Sequence, residues 1–177
     1  DSTVHKVEYV TYPSNLSHVL EVGPGSSEQK VHFHISGNCL LDGKNSYFSV
    51  QLKTNTGPSG LSGDTTSLLK RVPISLPSRG NQILEDIQEY NVLSSMVQYL
   101  SASSEDLESN WYSGQSSMFG NTREEYLETS RLDLNWNAGT DGWRTYTFAL
   151  NLSGLLQHSL YLPLFLLNGI KVELTMS

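Results

Sequence analysis

Residues 155–176 read LLQHSLYLPLFLLNGIKVELTM, and the reading of this stretch decides the fold. Residues 160–167 are apolar throughout, with Pro163 among them. The run falls far short of the ~20 residues that a membrane-spanning helix needs, so it is read as core. IKVELTM then alternates, with Ile170, Val172 and Leu174 on one face, the period of a half-buried strand. Pro163 has no N–H to give to a ladder, which places it in the lead-in before pairing begins. Asn168-Gly169 supplies the turn into Ile170.

The same period of two recurs upstream. In KVHFHIS (30–36), Val31, Phe33 and Ile35 point one way and His32 and His34 the other. In SYFSVQLKT (46–54), Phe48, Val50 and Leu52 oppose Tyr47, Ser49, Gln51 and Lys53. WRTYTFALNL (143–152) sets Tyr146, Phe148 and Leu150 on one face, and SRLDLNW (130–136) reads as a further strand. SLLKRVPISLP (67–77) reads as a strand whose Pro73 and Pro77 place it at an edge or bend it. VHKVEYVTYP (4–13) reads as an extended edge or lead-in strand. Turn chemistry crowds 23–27, 78–81 and 137–142, and NTGPSGLSGD (55–64) reads as a long loop.

Residues 82–100, QILEDIQEYNVLSSMVQYL, change period: a strand near 82–88 gives way to a helix near 89–100. Residues 101–122 are polar and Ser/Gly-rich, a surface excursion whose Trp111, Tyr112 and Phe119 are expected to pack on something. SGLLQHSL (153–160) is expected to form one helical turn. The total is about eight short strands, one modest helix and long loops, without a repeat of solenoid length. That pattern points to an all-β sandwich or barrel.

Composition agrees. At 177 residues the chain is expected to be one domain with one sizeable core. Only 37% of residues are apolar and 16% charged, the mix of a turn-rich β domain rather than a helix bundle. The net charge of −7 repels phosphate, and no Lys/Arg run offsets it, so direct nucleic-acid binding is not expected. The single cysteine, Cys39, forbids an internal disulfide and is expected to be a buried small hydrophobe. The sequons at Asn15 and Asn151 matter only in a secretory compartment. No signal-peptide pattern is visible, and the opening Asp1 is what a processed or truncated chain would show.

Several constellations have residue types that could carry chemistry. His32 and His34, at i and i+2 on one strand face, have the spacing of a cupin-type metal chelate. Such a site wants a Glu a few residues on and a further His, but ISGNC follows with no carboxylate until Asp42, so the pair is read as solvent-face polar residues. Glu124, Glu125 and Glu128, with Arg123 and Arg131, and the second acid group Glu105, Asp106 and Glu108, are read as solvated faces: no matching acid strand and no D-x-D-x-D-G loop accompanies them. GPGSSEQK lacks P-loop spacing, and no G-x-S-x-G elbow occurs. Trp111, Tyr112 and Trp143 could form a sugar-stacking platform, against the plainer reading of one core tryptophan and two loop-packing rings. No catalytic, cofactor-binding or metal residue, and no cofactor, is expected.

Three separated pieces fit one family. NCLLDGKNSYFSVQLKTNTG (38–57), SLLKRVPISLPSRGNQILEDIQEYNVLSSMV (67–97, with Glu85 and Tyr90-Asn91) and SGLLQHSLYLPLFLLNGIKVELTM (153–176) occur in family order. They resemble steps of the first jelly roll of double jelly-roll major capsid proteins, in the flavour of polinton-like viruses, virophages and related large DNA viruses. The resemblance implies an antiparallel eight-stranded jelly-roll sandwich whose final strand enters the middle of a sheet. The flanking leucines and Phe165 would then fill the end of the sandwich. Family chains carry two rolls in tandem. Residues 1–177 hold one, expected as the N-terminal roll of a longer chain, with a single-roll relative such as a penton protein as the other possibility.

The function implied is structural: a virion tile, three chains to a pseudo-hexagonal capsomer, meeting neighbouring capsomers and minor capsid proteins in an icosahedral shell. Loops 55–64 and 101–122 would face outward or grip a neighbour. Enzymatic activity and membrane insertion are not expected. The competing class is a lectin-like or cupin-like jelly-roll binding module, the lectin form working through Trp111 and the cupin form through a metal on His32 and His34.

Overall fold

The computed structural model describes residues 7–15, 19–20, 26–52, 61–62, 68–101, 131–132, 144–158 and 160–176. The strand segments among them are β1 (Gln29–Ile35), β2 (Leu40–Leu41), β3 (Phe48–Leu52), β4 (Leu61–Ser62), β5 (Leu69–Leu76), β6 (Gln82–Gln88), β7 (Arg131–Leu132), β8 (Arg144–Phe148), β9 (Leu162–Pro163) and β10 (Ile170–Met176). Helix α1 (Tyr90–Ser101) follows β6, and the four-residue α2 (Leu164–Leu167) follows β9. The described chain is all-β and antiparallel, with few helices.

The organising strand is β10. It lies between β1 and β5 in a four-stranded sheet of order β1-β10-β5-β6, antiparallel throughout. Its alternation decides what is buried: Ile170, Val172 and Leu174 turn inward, opposite Ile35, Phe33 and Val31 of β1. Val72, Ile74 and Leu76 of β5 join them. Each such buried aliphatic side chain contributes about 1.5–3 kcal/mol relative to exposure. Phe148 and Leu150 from β8 and the residues after it belong to the same core, as do Leu156, Leu164 and Tyr90. Phe48 of β3 stacks on its cross-strand partner Phe148 (5.9 Å, 25°) and meets Phe33 of β1 edge-on (5.2 Å, 66°). This aromatic triad ties the β3–β8 ribbon to the inner face of the four-stranded sheet.

The pairing is nested. β1 pairs β10, β2 pairs β9, β3 pairs β8, β4 pairs β7 and β5 pairs β6. Each strand of the first half thus finds its mirror-order counterpart in the second. The chain is one doubled ribbon whose tip is the turn after Leu76, where Gly80 (φ +65°) and Asn81 (φ +60°) take left-handed backbone. The ribbon then folds over, because β5, next to its tip, lies against β10 at its base.

Several expectations are met, and several change. Strand 82–88 and the helix after it fall where the change of period put them. The final strand is central, and Asn168 (φ +53°) and Gly169 (φ +88°) make its entry turn, with Gly169 N–H donating to Leu164 O at 3.1 Å. Gln157 N–H donates to Ser153 O at 2.9 Å, closing the single helical turn expected there. Among the described residues there are ten strand segments, of which β2, β4, β7 and β9 are two-residue pieces. β4 also falls inside the stretch read as a long loop.

β5 is not an edge strand despite Pro73. The other expectation for its prolines, a bent strand, fits better: pairing with β6 shifts between Ile74 and Ser75, beside Pro73, and pairing with β10 shifts between Thr175 and Met176. The sheet absorbs the missing N–H by local irregularity instead of by position. Pro163 is not outside pairing either: it sits opposite Leu40 in β9, and the neighbouring Leu164 N–H donates to Cys39 O at 3.1 Å.

Two more differences concern the ends. Of the apolar run 160–167, Leu164 alone is fully buried; Leu162 and Leu167 are half-buried, and Leu160, Tyr161, Phe165 and Leu166 are exposed. The expected plug is therefore mainly one leucine, because α2 is a single turn and turns one side inward. Residues 7–13 form no strand. The N-terminal arm touches the sheet edge at Ser14↔Phe33, with Asn15 N–H donating to His32 O and Tyr12 Oη to Ser36 O. Burial is the larger cause that raises the Tyr12 phenol above its ordinary pKa.

Candidate functional site

Two concave regions among the described residues differ in their chemistry. The first is apolar and begins with β6. Glu85 extends from this strand across 68 residues of sequence to the turn after β8: its carboxylate accepts Ser153 Oγ–H (2.6 Å), Gly154 N–H (2.7 Å) and Leu155 N–H (3.4 Å). Ser153 is fully buried, and its Oγ in turn accepts Leu156 N–H at 3.1 Å. Ser153 thus caps the turn and Glu85 caps Ser153, supplying an anion where several backbone N–H groups point the same way. This clip holds one wall of a cleft of about 390 Å³, lined by Leu84, Leu155, Leu160, Tyr161 and Leu162 with Glu85 and His158 at its polar end. His158 Nδ1 accepts Leu160 N–H at 3.1 Å, which fixes the ring.

Beside this architecture stands α1. Tyr90 and Ser94 are buried, so this side of the helix faces the core, with the Tyr90 hydroxyl 3.5 Å from Leu152 N. Val92, Leu93, Met96, Val97 and Leu100 are exposed. The helix therefore carries apolar residues on its outer side, the reverse of the usual surface helix.

The second concavity, of about 240 Å³, is charged. It lies on the solvent face of the four-stranded sheet, where Lys30, Thr175, Arg71 and Gln88 stand in one cross-strand row. Its cations are already paired. Arg71 forks onto Asp86 (2.7 and 2.6 Å), Lys70 meets Glu28 (2.5 Å) and Lys30 meets Glu173 (3.5 Å). The Arg71 hydrogen bond holds the Asp86 carboxyl below its ordinary pKa, and the Lys70 ammonium does the same for Glu28; both cations are raised in return. Lys30, Lys70 and Arg71 thus each have a carboxylate partner, and Glu89 lines the same concavity. Thr175 Oγ, buried beneath it, has no hydrogen-bond partner among the described residues.

The residues singled out in the sequence are scattered relative to these regions. His32 and His34 stand on the solvent face of β1, opposite Glu173 and Lys171, and no group of three or more metal-ligating side chains forms among the described residues. Cys39 is exposed, not buried, because it lies in the bend before β2 and contributes its carbonyl, not its thiol, to the contact with Leu164. Trp111, Tyr112, Phe119 and Trp143, and the acid groups at 105–108 and 123–128, lie outside the described residues. Arg131 belongs to β7. No helix of the described residues is long and apolar enough to cross a membrane.

Sequence reasoning missed the clip and the outward stripe. Glu85 stood in a quoted motif but without a role, since its partner lies 68 residues away. The stripe was visible as helical periodicity, yet periodicity does not say which side faces the core. Compared with known protein families and with curated proteins, the chain matches none of them.

Proposed function

We propose that the chain is a structural tile of a viral shell: a jelly roll, of the kind found in double jelly-roll major capsid proteins, that assembles into trimeric pseudo-hexagonal capsomers. One observation carries the reading. The strands nest in pairs from β1–β10 inward to β5–β6, and the doubled ribbon is folded so that β5 returns to β10. Rolling an antiparallel ribbon on itself is how a jelly roll closes two layers over one core, and it puts the last strand in the interior of a sheet.

The chemistry of the surfaces agrees with packing as the work performed. The cations of the polar concavity are held in ion pairs, and the other concavity is mostly lined by apolar side chains. The tile needs no cofactor and catalyses nothing; its partners are further copies, neighbouring capsomers and minor capsid proteins, and its place is the virion shell. The test is the mass of the full-length protein in solution by sedimentation and native mass spectrometry. Three-chain assemblies that grow into larger particles are expected. A protein that stays monomeric at high concentration and never forms particles overturns the reading.

A further inference from the structure

We infer that α1 is a seam between subunits: its outward apolar stripe seats in the Leu84/Leu160/Tyr161 cleft of a second copy of this chain. The inference rests on the tile reading and names the surface that reading leaves open. At about 100° per residue, Val92, Leu93, Met96, Val97 and Leu100 fall within an arc of roughly 140°, and each is at least 43% exposed. Together they offer roughly 500 Å² of apolar surface, at the upper end of what a monomer leaves uncovered and close to the apolar share of one side of a standard interface of about 800 Å².

The occupant follows from charge and symmetry. Helix α1, YNVLSSMVQYLS, contains no charged residue. A helix that lies on lipid carries Lys and Arg on its polar face, and a chain of net charge −7 is repelled by anionic lipid and by phosphate. What remains is an apolar protein surface. A closed ring of copies needs two different patches on each, joined head to tail. The chain supplies both: a ridge on α1 and the hollow of about 390 Å³ walled by Leu84, Leu155, Leu160, Tyr161 and Leu162. Leu160 and Tyr161, which line this hollow, are themselves exposed and so open to a partner.

The test uses the full-length protein in analytical ultracentrifugation. Met96→Glu with Leu100→Glu, and separately Leu160→Glu with Tyr161→Glu, are each expected to weaken self-association roughly thirtyfold or more, the scale of an interface hot spot. Melting temperatures should hold, since all four positions are exposed. As a second measurement, Leu100→Cys with Tyr161→Cys in a Cys39→Ser background should give chain-to-chain crosslinks on oxidation. If wild type associates and both patch variants associate equally well, the seam is wrong while the tile reading survives. A monomeric wild type sinks both. Crosslinks that form only within one chain, or patch variants that lower the melting temperature of a monomer, place another part of the same chain on the stripe and overturn the proposal.

Discussion

Replacing Gly43 with alanine should destabilise the fold, and the structure says by how much. Gly43 is buried against the backbone of Leu156: a Cβ built there would lie 2.3 Å from Leu156 O and 2.9 Å from Leu156 C and Cα. None of these is a side-chain tip that could swing aside. Leu156 is held by its own buried side chain, by Ser153 Oγ on its N–H, and through Ser153 by Glu85. Relief therefore requires moving one backbone segment by roughly 1 Å, and inserting a methyl into such packing costs about 1–3 kcal/mol, more where nothing yields. Against this, Gly→Ala restricts the unfolded chain and stabilises by about 0.4–1 kcal/mol. The balance is a loss of about 2 kcal/mol, or about 4–8 °C in melting temperature for a domain of this size. Urea denaturation followed by tryptophan fluorescence, with calorimetry, measures it. Gly43→Ala as stable as wild type or more stable would leave only the entropic effect, and would show that the segment before β3 does not abut the turn at 153–157.

Leu164→Ala should cost about 2–5 kcal/mol because Leu164 is fully buried, whereas Leu166→Ala two residues on should stay within about 0.5 kcal/mol; equal effects in denaturant titration would contradict the one-sided docking of α2. Glu85→Ala should cost about 2–3 kcal/mol by leaving Ser153 Oγ and two backbone N–H groups without their charged acceptor; a loss below about 0.5 kcal/mol in the same titration would remove the clip. Asp86 is held below its ordinary value by Arg71, so the pair adds stability that is present above the unfolded carboxyl value and is lost as pH falls. Wild type should therefore lose urea resistance below about pH 4 more steeply than Asp86→Asn, and parallel acid limbs would show that the pair contributes nothing.

Much of the sheet was legible because alternation is a local signal that survives without partners. The strands at 29–35, 48–52, 144–148 and 170–176 each announce their buried face, and the structure buries it where side chains are described. Register and neighbourhood were not legible. Pro73 argued for an edge or a bend without choosing between them, and the structure has the irregularity, a register shift beside it in the β6 ladder, in a strand that lies inside the sheet. The run 160–167 promised a broad plug on hydropathy alone, yet a single helical turn can bury only one side, and Leu164 took it. The Glu85–Ser153 contact joins positions 68 residues apart, and nothing local to either residue names the other. Nested pairing also makes contacts of long sequence separation dominant, so folding in the slow range of β sandwiches, milliseconds to seconds or longer, accompanies this architecture.

The most direct test of the account is an electron cryo-microscopy map of the full-length protein taken at assembling concentration. The account requires repeated three-fold tiles in which β10 runs between β1 and β5 in every copy and apolar helices line the seams. Isolated particles of single-domain size without recurring contacts, or a map with β10 at a sheet edge, would contradict it.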